Sequence, residues 1–150
     1  MKKSQHFPEA FYRVTVRGIM QDGDKFLLGH HKKDGTWETF GGGLDFGEDM
    51  REALKREILE ELGCELSYIS EKPLFALPHI VHNKRGMDWF YNFPIYYSIK
   101  FDTSKFDPSL QYPEIKWFTL EEIQNLQIFE GEEGIKEGFK TLINGTSESQ

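Results

Sequence analysis

Apolar and polar positions alternate at the start of the chain. Tyr12, Val14, Val16 and Met20 fall on one face, and Arg13, Thr15 and Arg17 fall on the other. A period of two predicts a strand with one buried face. Asp22-Gly23-Asp24 supplies a hairpin turn, and residues 26–30 read as the return strand. The period then changes: Leu54, Ile58 and Leu62 recur every four residues and Gly63 stands where helices stop, which predicts a helix over 48–62. Residues 87–101 are the most aromatic stretch, with Trp89, Tyr91, Phe93, Ile95, Tyr97, Ile99 and Phe101 opposite Asn92, Ser98 and Lys100. This predicts a long strand in which Pro94 marks a bulge or an edge. Residues 74–81 and a turn at 83–86 make that strand the second arm of a hairpin. A short strand is expected at 115–118, then a helix to about Leu126 opened by a Thr119/Glu122 capping box. Ile135, Phe139, Leu142 and Ile143 mark a last helix, and residues 145–150 are expected to fray. Strands and helices interleave without a repeat or an interior linker. The expectation is one α/β domain over 1–150, a mixed sheet covered on its faces by helices.

Composition narrows the function classes. The chain has 150 residues and one cysteine, Cys64, so an intramolecular disulfide framework and a cysteine-rich zinc module are excluded. A net charge of −7 argues against duplex nucleic acid as a partner. The chain has neither a membrane-length apolar run nor a visible secretory signal, so a cytoplasmic location is expected. The charge is unevenly placed. Between Asp45 and Glu65, eight acids face only Arg51, Lys55 and Arg56, so this stretch carries −5 of the −7.

On a helical wheel with Glu57 at zero, Glu61 falls at about 40° and Glu60 at about 300°, beside the stripe of Leu54, Ile58 and Leu62. Like charges at these spacings repel by a few tenths of a kcal/mol per pair on a bare helix. Three carboxylates bordering a core stripe point to a cation, and an all-oxygen donor set selects Mg²⁺, Mn²⁺ or Ca²⁺. A solvated helix face is the other reading. Gly41-Gly42-Gly43 lies just upstream, where bare backbone lets a ligand approach closely. Glycines beside a carboxylate-held divalent metal suit a diphosphate. The loop is neither a dinucleotide fingerprint nor a P-loop.

Gly42, five residues, Glu48, seven residues, then Arg56-Glu57-Ile58-Leu59-Glu60-Glu61-Leu62-Gly63-Cys64 resembles the complete signature of the Nudix hydrolase family. Seven fixed identities make a chance match on the order of 10⁻⁸ per window. The resemblance, carried by residues 42–64, implies an α/β/α sandwich and a MutT-like pyrophosphohydrolase using Mg²⁺, with Mn²⁺ as a substitute. It implies that Glu57, Glu60, Glu61 and the Gly41 carbonyl hold metal, with one of the acids activating water. Arg56 is then the arginine that orients a glutamate, and Glu48 is structural. Gly42 and Gly43 line the substrate. The resemblance also points to Glu114, the one acid between Tyr112 and Phe118, as a further ligand or base. Phe40 stands where the family usually has proline, and Thr39 where it has an aliphatic residue. Phe40 either packs in the proline's place or stacks on a base, and Arg85 in the 83–86 turn reaches a phosphate. The implied partner is a small nucleotide, a nucleoside triphosphate or an ADP-ribose-like compound, on a chain that can form a homodimer. A nucleotide-sensing module without turnover is the alternative. His79 and His82, three apart in a strand, make a poor metal pair.

Overall fold

The alternating segment forms β1 (Phe11–Ile19) and the aromatic stretch forms β9 (Trp89–Phe101). The two run parallel, with Phe11 beside Phe90 and Ile19 beside Ser98. The computed structural model describes residues 11–82 and 89–148, so the expected turn at 83–86 and its Arg85 lie outside the described residues. Between those strands come β2 (Gln21–Asp22), β3 (Lys25–His30), β4 (Trp37–Glu38), β5 (Phe40–Gly43), α1 (Met50–Leu62), β6 (Leu66–Ile69), β7 (Phe75–Ala76) and β8 (His79–His82). After β9 come β10 (Ile115–Thr119), α2 (Leu120–Gln124) and α3 (Ile135–Glu148). Among the described residues there is a six-stranded sheet in the order β5-β1-β9-β6, with β7 and β8 also paired to β9. A four-stranded sheet runs β10-β3-β2, with β4 on β3. Within the large sheet, among the described residues, β1 and β9 are parallel and the other strand pairings are antiparallel, so the sheet is mixed.

Three expectations change. Pro94 is not on an edge, because β9 has β1 on one side and β6 to β8 on the other. It is tolerated because β7 ends at Ala76 opposite Ile95 and β8 begins at His79 opposite Asn92. The missing N–H therefore faces the break between those strands, while the Pro94 carbonyl still accepts from the Leu77 N–H at 3.0 Å. Helix α1 starts at Met50 rather than Glu48, because the Asp49 side chain caps it, accepting from the N–H groups of Arg51 and Glu52. That leaves Glu48 outside the helix. Finally, α3 continues to Glu148, so residues 145–148 are helical rather than frayed.

Helices cover both faces of the sheet system. Val16, Leu54, Ile58, Leu62, Tyr97, Ile99 and Phe101 pack together on the α1 side. Ile19, Phe26, Leu28, Tyr96, Phe118, Ile123, Ile135 and Phe139 pack on the α2 and α3 side. The expected face of β1 given over to solvent is therefore covered. Arg17 on that face is only 6% exposed.

Candidate active site

Edge strand β5 carries the three glycines, and α1 packs directly on it. Each glycine is constrained by a different neighbour. At Gly41 φ is +141°, and a β-carbon would run into the Val16 carbonyl and come within 2.8 Å of Arg17 Cα. At Gly42 a β-carbon would lie 2.5 Å from Glu57 Oε2. At Gly43 it would overlap the Arg13 guanidinium. Gly42 thus meets the α1 carboxylates and Gly43 meets the opposite side of the strand. The Gly41 N–H also donates to Glu61 Oε2 at 3.1 Å, tying the strand to a second carboxylate.

Arg56 organises the acids. Its Nε and Nη2 donate to the two Glu48 oxygens at 2.8 and 2.9 Å, a bidentate pair. Nη1 donates to Glu57 Oε1 at 2.9 Å and to Glu60 Oε2 at 3.3 Å. Nη2 also donates to the Gly43 carbonyl at 3.2 Å. The arginine that the sequence assigns to orienting a glutamate touches three of them and the glycine strand. Its hydrogen bonds hold the Glu48 carboxyl below the usual carboxylate range. Among the described residues no three acidic, histidine or cysteine side chains converge on one point, and Arg56 Nη1 pairs with both Glu57 and Glu60.

Glu61 is different in kind. Burial pushes its carboxyl up to about 8, against the pull of Arg17, and the charges of Glu38 and Glu57 add to the rise. The Tyr112 hydroxyl, fully buried, donates to Glu38 Oε1 at 2.7 Å and stands 3.4 Å from Glu61 Oε2. Glu38 leads into a buried ionic cluster that the sequence did not announce. Arg17 Nη2 lies 3.4 Å from Glu38 Oε2 and 3.0 Å from Glu132 Oε1. Burial lowers the pKa of the Arg17 guanidinium, but Glu132 and then Glu38 outweigh this and leave it above its ordinary value. Glu38 itself is raised by burial, which Arg17 opposes. One signal for this cluster was present. A sandwich with both faces covered leaves no solvent face for Arg17, so a buried acid had to meet it.

Other expected site residues are placed elsewhere. Phe40 does not stack on a substrate: it is wholly buried, edge-on to Phe101 and Tyr112 at ring separations of 5.9 and 5.5 Å. It fills core where the family's proline would stand. Glu114 is exposed at the start of β10; its carbonyl accepts from the His30 N–H at 2.9 Å, and no hydrogen bond links its carboxylate to the α1 acids or Arg56. Tyr112, two residues earlier, is the residue of that loop whose side chain reaches the Glu61 carboxyl.

The family model for the NUDIX domain matches residues 11–140. The chain belongs to the NUDIX family. Its β5–α1 segment is thus the NUDIX motif, and its α/β sandwich of a mixed sheet and helices is the NUDIX fold. Among curated relatives, a protein named nucleoside triphosphatase NudI from Enterobacter sp. (strain 638) is 42% identical over 66 residues, covering 41% of this chain and 47% of that one. One named RNA pyrophosphohydrolase from Ruthia magnifica subsp. Calyptogena magnifica is 43% identical over 61 residues, 39% of this chain and 34% of that one. The matches thus span half or less of those relatives. A MutT NUDIX hydrolase structure from Burkholderia pseudomallei superposes with a TM-score of 0.64 at 22% identity, covering 84% of this chain and 96% of that one, a likeness of fold. No helix among the described residues is long and apolar enough to cross a membrane.

Proposed function

We propose that this NUDIX chain is a pyrophosphohydrolase acting on a nucleoside diphosphate linked to a further group, with a nucleoside triphosphate as the favoured substrate class and Mg²⁺ or Mn²⁺ as cofactor. One observation carries the reading: the glycines of strand β5 lie directly against two of the three α1 carboxylates, through Gly42 on Glu57 and the Gly41 N–H on Glu61. Bare backbone beside hard oxygen donors is what a metal-bound diphosphate requires. The printed name of the NudI relative supports a triphosphate over an ADP-ribose-like compound.

The all-oxygen donor set has the chemistry a divalent cation takes, with Glu57 and Glu60 turned to Arg56 and not gathered on one point. Glu57, Glu60 and Glu61 would hold it, and the Gly42 α-carbon leaves the space that the Glu57 carboxylate occupies. A divalent ion beside part-buried Glu61 would favour its charged form. When bound, the metal neutralises diphosphate charge and acidifies a water for attack on phosphorus. Arg56 holds Glu57 and Glu60 at one end of the helix face while Glu48 fixes Arg56 from the loop. The Gly41 N–H and the Tyr112 hydroxyl hold Glu61 at the other end.

Hydrolysis of a panel of nucleoside triphosphates and ADP-sugars, each with Mg²⁺ and with chelator, tests the reading. Glu60→Gln and Glu61→Gln should each lower turnover by about 10²–10⁴-fold, the scale of lost acid–base assistance taken as a guide to metal loss. Turnover that survives chelator, or full activity in the double variant, would overturn it.

A further inference from the structure

Thr39 is held at both of its peptide groups and at its hydroxyl. Its N–H donates to Glu132 Oε1 at 2.6 Å, and its hydroxyl donates to Glu132 Oε2 at 2.7 Å. Arg17 Nε donates to the same hydroxyl at 3.0 Å, and Arg17 Nη2 donates to the Thr39 carbonyl. Arg17 and Glu132 are themselves paired at 3.0 Å, and the Tyr96 hydroxyl donates to Glu132 Oε2 at 3.0 Å from β9. All are buried: Glu132 is 0% and Thr39 1% exposed. Two acids against one arginine would leave excess buried charge, but donors from Thr39, Tyr96 and Tyr112 share it.

This arrangement lies one residue from β5. Thr39 precedes Phe40, whose ring is locked in the core, and then Gly41, whose N–H meets Glu61. Arg17 acts at both ends of this segment. Its side chain grips Thr39, and its backbone is the β1 partner of Gly41, against which that glycine is packed too closely for a β-carbon. Backbone fixed at Thr39 and at Gly41 leaves the intervening peptides little freedom, so the placement of Gly42 against Glu57 follows from it.

We propose that the buried Arg17–Glu132 pair, acting through Thr39, sets the course of strand β5 and thereby the geometry of the Glu57 and Glu61 carboxylates. Arg17 and Glu132 are positioning residues. The role rests on the metal-dependent reading above, and its test separates the two. Mn²⁺ binding to the full chain is followed by the electron paramagnetic resonance of free Mn²⁺, alongside kcat, KM and thermal melting. Glu132→Gln and Thr39→Val should weaken Mn²⁺ binding and lower kcat, each by about 10–100-fold, the range for partners that orient metal ligands. KM should stay unchanged. Thr39→Ser, which keeps the hydroxyl, should restore both quantities. Where Glu132→Gln does not fold, the Thr39→Val and Thr39→Ser pair decides. Folded variants that bind Mn²⁺ and turn over like the wild type, or a Thr39→Ser protein as impaired as Thr39→Val, would overturn the role. A wild-type chain that binds no Mn²⁺ and hydrolyses no triphosphate would instead overturn the reading beneath it.

Discussion

Gly42→Ala is the sharpest probe of the site, because the three atoms nearest the added carbon all belong to the Glu57 carboxyl group. The new β-carbon would sit 2.5 Å from Glu57 Oε2 and 2.6 Å from its Cδ. Ordinary contact begins near 3.4 Å, so the carboxylate must retreat by about 1 Å. Glu57 is the flexible end of a helix side chain, and such a shift off its rotamer costs about 0.5–1.5 kcal/mol. Its contact with Arg56 is partly exposed and adds at most about 1 kcal/mol. Against this, alanine at a backbone without positive φ stabilises by about 0.4–1 kcal/mol through the unfolded chain. Stability should therefore change by no more than about 2 kcal/mol, whereas a 1 Å displacement at a reacting centre costs on the order of 10²-fold in rate. Neighbouring substitutions give the controls. Gly41→Ala meets backbone at φ +141° and should destabilise the whole fold, while Gly43→Ala meets the movable end of Arg13. Thermal melts with and without Mn²⁺, run beside triphosphate turnover, read all three. A Gly42→Ala protein with wild-type turnover and Mn²⁺ response, or one that melts like Gly41→Ala, would refute this reasoning.

Three further outcomes are expected. The Glu61 carboxyl keeps its proton to about 8 in the folded state against about 4.5 unfolded, so its contribution to stability is complete below the lower value and lost as pH rises to the upper one. In chelator the melting temperature should fall between pH 5 and 8, Glu61→Gln should flatten that fall, and an equal slope in both proteins would be contrary. Tyr112→Phe strips buried Glu38 of its 2.7 Å donor and should cost about 1–3 kcal/mol by urea unfolding; an unshifted midpoint would count against the cluster. Phe40→Ala should cost about 3–5 kcal/mol as a core deletion, yet leave KM unaltered at temperatures where the protein is folded, since the ring is wholly buried. A raised KM there would return Phe40 to the substrate.

What the sequence made legible was whatever has a period or a fixed spacing. The strand β1, the four-residue recurrence of α1 and the Thr119/Glu122 capping box all appear in the structure, the last with both of its hydrogen bonds, although burial along β1 does not alternate. The glycine and glutamate spacing is also local, because 42 to 64 is one strand, one loop and one helix. The residues that were not foreseen interact across the fold. Arg17 reads as solvent-facing because its neighbours at 13 and 15 are also polar, and its partners at 38 and 132 belong to other elements. Tyr112 sits in a loop without periodicity, so nothing in its surroundings announces contact with Glu38. Glu114 drew attention as the one acid of its segment, although contact with Glu61 came from a hydroxyl two residues earlier.

The bond between Thr39 and Glu132 joins positions 93 residues apart. During synthesis from the N-terminus, the glycine strand is complete long before the acid that fixes its neighbour has been made. At 5–20 residues per second the delay is roughly 5–20 s. Throughout that interval the helix bearing the acidic face can already form, since its cap and its stop are both local. A ribosome stalled before residue 132 would therefore carry a chain with the local signals of its acidic helix in place and its glycine strand unset. On the proposed reading, hydrolytic competence would wait until Glu132 has been made and has reached Thr39.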